Sequence, residues 1–325
     1  MFAPPRALSV SLPPNPAIRT AALLTLALAG CHRKAPPSLA VAKLTVSEES
    51  LAAAPALGLG AEQMKAAVKT ALERQGAVVL QDGQSAPPGS QVYRVRAEIG
   101  GAQLQDVALP DGGVGQEAQV EAVLEGARAS SEGTLKLSGT GEGHVAAPAA
   151  PDTEGQAAAF KSSFAKAVDL AAARLARSAV AVEAPVETLH ADLGSPDSGV
   201  QEAAADVLVD HHDLAAIPVL VQELDSPDDS VKMKAIGELV ELKAKTSVPK
   251  LIDLAQTSDP RLGTDPHFQM QIIYALGTIG GDEAEAYLYT IASGHPDEMV
   301  RNAAKEASAE LHRSHARVSH KELPQ

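Results

Sequence analysis

The sequence predicts an α+β sandwich domain over residues 41–182 followed by an all-α solenoid over 186–312. Three observations lead there. Apolar and polar residues alternate in several short runs of the first part, as in half-buried strands. Paired helical patterns recur at a fixed spacing in the second part. Between them stands Glu183-Ala-Pro185, where Pro185 removes a donor that a continuous helix would use.

In the first part, Met64, Val68, Ala71 and Leu72 share one face of a helix over 63–75, and Gly76 is its stop signal. Ala77-Val-Val-Leu80 reads as a short strand. Tyr93, Val95, Ala97 and Ile99 alternate with Arg94, Arg96 and Glu98. Ala118, Val120, Ala122 and Leu124 repeat the alternation, and Leu135 and Leu137 flank Lys136 in a third run. Asp111-Gly-Gly113 is a hairpin-type turn. A long helix over 156–180 aligns Phe160, Phe164, Val168, Ala171 and Leu175 in one stripe. Gly139-Thr-Gly-Glu-Gly143 reads as a turn or bulge beside a strand rather than as a dinucleotide fingerprint. The order of strand, helix, antiparallel strands and helix gives the α+β class. It loosely resembles the small α+β domains of envelope lipoproteins of the curli-secretion and penicillin-binding-protein-activator types.

In the second part, Ser195-Pro-Asp197 recurs as Ser226-Pro-Asp228, and Pro296-Asp297 follows later. Val200, Ala204 and Leu208 correspond to Val231, Ala235 and Leu239, 31 residues on, and Ala216-Ile-Pro218 to Ser247-Val-Pro249. Phe268, Ile272 and Leu276 continue the pattern after a longer spacer over 257–266, and Val300 and Ala304 begin a fourth, more polar copy. Proline is expected at the first helical position, where its missing N–H costs nothing, with aspartate beside it favoured by the helix dipole. These residues, with Ala275-Leu-Gly-Thr-Ile-Gly-Gly-Asp282 above all, resemble the short bacterial HEAT-like repeats. The resemblance implies about four helix pairs and an extended binding surface, with a polar terminal repeat as cap. Some HEAT-like proteins are di-iron hydroxylases with His-Glu dipeptides, and this sequence has no His-Glu pair. Others are bilin lyases of cytoplasmic pigment proteins, a poor match for an exported chain. Residues 313–325 read as a polar, frayed tail.

At the other end, Arg6 and Arg19 precede the apolar run Ala21-Ala-Leu-Leu-Thr-Leu-Ala-Leu-Ala-Gly30 and then Cys31. A basic start and an apolar core of about ten residues make a secretory signal rather than a spanning helix, which needs ~20. Leu28-Ala29-Gly30-Cys31 resembles the lipobox of bacterial lipoproteins. The resemblance implies cleavage before Cys31, a thioether-linked diacylglycerol on it and a further acyl chain on its amine. Two or three chains at ~0.8 kcal/mol per buried CH₂ anchor stably. A generic signal with an incidental cysteine is the alternative. Cys31 is the sole cysteine, and a lone free thiol is unusual in an exported protein. Residues 1–30 are then the signal and 31–40 a Pro-containing tether. His32 after the cysteine, rather than Asp, points by the enteric sorting rule to the outer membrane, facing the periplasm.

Without Arg6 and Arg19 the chain carries 25 basic and 41 acidic residues. That balance argues against binding nucleic acid or an anionic bilayer face. The negative charge is uneven: residues 186–312 hold 8 basic and 23 acidic side chains, a net −15, and residues 31–185 hold 14 and 17, a net −3. No Walker loop, His-Glu-x-x-His, Gly-x-Ser-x-Gly or Cys-x-x-Cys occurs. His211-His212 reads as a polar loop between paired helices. His312, His315 and His320 read as solvated rather than metal-binding. No cofactor, metal site or enzymatic activity is therefore expected.

The expected function is that of a membrane-anchored protein-interaction scaffold. Its lipid site is Cys31. Glu202, Asp206, Glu238 and Glu241, placed on the helices lining the inner surface, would meet a protein partner with a basic surface. The alternatives are a structural component of an envelope assembly acting through the α+β domain, and an enzyme or metal-binding protein with its site there.

Overall fold

The computed structural model describes residues 39–108, 113–130, 133–148, 153–258 and 266–321. Cys31 and the residues before it, the tether up to residue 38, turn residues Asp111 and Gly112, and spacer residues 259–265 lie outside these. The elements run β1 (Leu39–Val46), α1 (Glu48–Ala53), α2 (Ala61–Arg74), β2 (Val78–Val79), β3 (Gln91–Ala108), β4 (Val114–Ser130), β5 (Gly133–Ala147) and α3 (Thr153–Ala181). The α+β class is as the sequence predicts. The sheet order is β2-β1-β3-β4-β5, with β1 parallel to both neighbours and β3, β4 and β5 antiparallel. Leu39 and Ala40, which the sequence reads as tether, are buried in β1 and pair with Gln91 and Val92 of β3.

Alternation fixes which face of the sheet is covered. Tyr93, Val95 and Ala97 of β3 and Ala118, Val120, Ala122 and Leu124 of β4 are buried. All but Ala118 form one core with Met64, Val68 and Leu72 of α2 and Phe164, Val168, Ala171 and Leu175 of α3. Phe160 is only partly buried at its margin.

Gly139, Gly141 and Gly143 lie inside β5, not in a turn or bulge. Being alternate residues, they share one face of the strand, and that face meets α3. A Cβ on them would stand 2.2 Å from the Ala171 carbonyl oxygen, 2.1 Å from that of Ala167 and 1.9 Å from that of Ser163. Only hydrogen at these positions lets a helix backbone lie this near a strand. Ser163 Oγ donates to the Gly143 carbonyl, and Arg174 Nη1 to that of Thr140 at 2.8 Å.

From Pro185 onward the chain is helical: α4 (Val186–Asp192), α5 (Ser198–Asp210), α6 (Ile217–Glu223), α7 (Asp229–Glu241), α8 (Val248–Thr257), α9 (Pro266–Ile279), α10 (Asp282–Gly294) and α11 (Glu298–Lys321). Ala204, Leu208, Ala235, Leu239, Ile272, Leu276, Val300 and Ala304 are buried, so the register read from the spacing holds in all four copies. In each Ser-Pro-Asp the aspartate is the helix N-cap and the proline precedes it, so Pro196 and Pro227 are not at the first helical position as expected. Asp197 accepts from Gly199 N at 2.9 Å, Asp228 from Ser230 N at 2.8 Å and Asp297 from Met299 N at 2.8 Å. Pro218 and Pro249 stand at the second position of α6 and α8, still within the first turn. α11 continues from Arg313 to Lys321, where the sequence reads as a frayed tail. The described residues belong to one compact unit. In it α3 packs on α5.

Candidate functional site

A cluster of charged side chains lies where α3 and β5 meet α5, α6 and α7. A cleft of about 240 Å³ opens there, lined among others by Ser138, Thr140, Arg174, Glu202, Asp206 and Lys234. Each polar side chain has a local reason for its place. Glu202 and Asp206 are one turn apart on α5, so they share a face. Lys234 and Glu238 stand in the same relation on α7. The 31-residue register sets α7 beside α5, which brings Lys234 between the two α5 carboxylates.

Lys234 Nζ lies 2.6 Å from Asp206 Oδ1, 3.4 Å from Glu202 Oε1 and 3.9 Å from Glu238 Oε1. Arg174 Nε, reaching across from α3, lies 3.6 Å from Glu202 Oε2. Burial works against the charge of Lys234, but Asp206, Glu238 and Glu202 outweigh it and hold the ammonium above its ordinary pKa. Burial pushes Glu238 up to about 8 despite Lys234, and Glu223, at the end of α6, up to about 7. Asp206 is raised by burial too, with Lys234 pulling the other way. One carboxyl oxygen each of Glu223 and Glu238 is buried without a hydrogen-bond partner.

Three of the four acidic residues singled out from the sequence thus come together, and not as free surface charges: Glu202, Asp206 and Glu238 surround Lys234. Glu241 stands apart, its side chain 48% exposed and 3.9 Å from His212 Nδ1. Arg174, Lys234 and Glu223 were missed by sequence reasoning. The repeat register could have found Lys234, because it falls within a turn of the α7 positions equivalent to Glu202 and Asp206. Nothing local marks Arg174, which belongs to another element type.

The histidines are spread out. His211 ends α5, and His212 takes a left-handed φ of 54° in the loop after it. His190 Nε2 is 2.7 Å from Asp213 Oδ2. Asp213 is held below the usual carboxylate range by the Ala215 N–H and then by His190. His312 lies 3.3 Å from Glu285, and the side chains of His315 and His320 are outside the described residues. Among the described residues no three His, Cys, Asp or Glu side chains group as metal ligands, and no helix is long and apolar enough to cross a membrane.

No curated protein matches the chain. Among solved structures, an engineered protein determined by the Northeast Structural Genomics Consortium aligns at 21% identity over 45% of this chain and 74% of that one. Its TM-score of 0.29 is too low to carry an argument. Residues 217–309 match the family model of HEAT repeats, and α6 to α10 with part of α11 fall within them, inside the HEAT-like stretch 186–312 read from the sequence.

Proposed function

We propose that the chain is a lipid-anchored interaction scaffold, tethered through Cys31 in the cell envelope, whose acidic HEAT-like array engages a protein partner with a basic surface. The observation that carries this reading is the array itself. HEAT repeats stack helix pairs into long surfaces suited to protein partners, and the described array holds most of the chain's net negative charge. Anchoring rests on Leu28-Ala29-Gly30-Cys31 and on the basic and apolar stretch before it. The outer membrane, periplasmic side, follows from His32. No catalytic role enters this reading.

In this reading Glu241 is the acid offered to the partner, supported by its exposed side chain. Glu202, Asp206 and Glu238 are engaged with Lys234 and Arg174 and serve the fold. Glu241 remains open to solvent.

The test is chemical cross-linking of the intact protein in its own membranes, followed by identification of what is captured. A specific basic partner recovered with the native chain, and lost from the membrane fraction with Cys31→Ser, supports both halves of the reading. A Cys31→Ser protein that stays membrane-bound and is processed at the same place removes the lipid anchor from it.

A further inference from the structure

The charge at the seam of α3, α5, α6 and α7 does not balance. Four carboxylates gather there: Glu202 and Asp206 from α5 and Glu238 from α7, at 3.4, 2.6 and 3.9 Å from Lys234 Nζ, and Glu223 at the end of α6, with one oxygen buried and unpartnered. Two cations face them, Lys234 from α7 and Arg174 from α3. The other neighbours do not restore neutrality. Asp210 on α5 adds negative charge beside Asp206, and Glu121 of β4 lines the cleft. Arg177 of α3 is turned to Asp197 at 3.4 Å. On the far side of α5, His190 of α4 is held by Asp213. From α9, packed against α7, the titratable groups are His267, exposed in the first turn, and Tyr274, which donates to Glu306 at 2.9 Å.

Uncompensated charge in a partly buried site costs far more than in water, and carboxyls respond by holding protons. Two protons on four carboxyls bring the six side chains to neutrality. Their place follows from the hydrogen bonding. Asp206 has the closest approach to Lys234, and Glu202 is shared between Lys234 and Arg174. Glu223 and Glu238 are left, each with a buried oxygen that has no partner.

We infer that Glu223 and Glu238 form a two-proton switch in this seam: protonated, they let α3, α5, α6 and α7 close on a neutral cluster, and ionised, they load it with negative charge and loosen it. The values of about 7 and about 8 place the change near and above neutral pH. The folded state holds these protons when the unfolded chain, with ordinary glutamates, has lost them. Stability therefore falls as pH rises from the ordinary glutamate range toward the folded values, and is greatest at the acidic end of that window. Each such carboxyl shifts the local closing equilibrium by up to about tenfold per pH unit within it. Because Arg174 belongs to the α+β domain, the switch also acts on how firmly that domain holds the first repeats.

The experiment uses the full chain with ¹³C-labelled glutamate side chains, titrated by NMR, alongside hydrogen exchange of the α5 and α7 amides. Two glutamate carboxyls should titrate at least about two pH units above the rest. Glu223→Gln and Glu238→Gln, which mimic the protonated forms, should each remove one of them. Protection of α5 and α7, corrected for intrinsic exchange, should drop about tenfold or more between about pH 6 and about pH 9 in the native chain. It should stay level in the double glutamine variant. Should a variant fail to fold, the native chain decides alone. All glutamates titrating in the ordinary range, or protection indifferent to pH, would overturn the switch. So would a double variant with the native pH dependence.

Discussion

Lys234 Nζ and Asp206 Oδ1 are 2.6 Å apart although 28 positions separate them in the chain. The pair ties α5, which packs on α3, to α7, two helices further along the array. Around it the acidic surface turns inward: charges that read as a docking stripe in the sequence are spent on each other and on two cations.

Removing the central cation should therefore damage the fold. Lys234→Met leaves Glu202, Asp206 and Glu238 without their common partner. A fully buried pair broken this way loses about 3–5 kcal/mol. With the lysine side chain 37% exposed, solvent screening reduces the expected loss to roughly 1–3 kcal/mol. Urea unfolding at neutral pH measures it. A midpoint equal to the native one would mean that the cluster contributes nothing.

The glycine face of β5 makes a second prediction. Gly141→Ala puts a methyl group 2.1 Å from the Ala167 carbonyl oxygen, so α3 must lift off the strand. Overpacking of this kind costs roughly 1–3 kcal/mol or more. Gly133, which has nothing near its missing Cβ but a φ of +136°, tests backbone strain without crowding. Comparing melting temperatures of the two alanine variants separates the effects. Native stability in Gly141→Ala would show that α3 does not sit against these glycines.

Ala235 is fully buried on α7. Ala235→Glu leaves its charge no room and no partner. The expected result is loss of the folded array, seen by circular dichroism and as insoluble expression. An unchanged melting temperature would put this face of α7 in solvent.

Much of this fold is legible in the sequence, for identifiable reasons. Strand alternation at Tyr93, Val95 and Ala97 marks the covered face because period two is a local property. The repeat register, through Ala204 and Ala235 or Leu208 and Leu239, is visible because each copy solves the same packing problem. Gly139, Gly141 and Gly143 mislead, since glycine usually signals a turn and its use here depends on residues of α3 between 20 and 32 positions further on. The prolines just before Leu39 make Leu39 and Ala40 read as tether rather than strand. The acidic residues were found but not their engagement. Arg174 comes from a different domain, and nothing in its neighbourhood says where it points.

The central claim is that the exposed charge of the array recruits a basic partner. The measurement that tests it most directly is the association rate of the captured partner against ionic strength, for the native chain and for Glu241→Lys. Glu241 is chosen because it is exposed and outside the Lys234 cluster. Long-range attraction is screened to about 8 Å at 0.15 M salt, so the native rate should fall steeply between low and physiological salt. Glu241→Lys should lower the rate at low salt and flatten the dependence, with dissociation little changed. A rate indifferent to salt, equal in the two proteins, would contradict the account and leave the acidic surface a role in solubility alone.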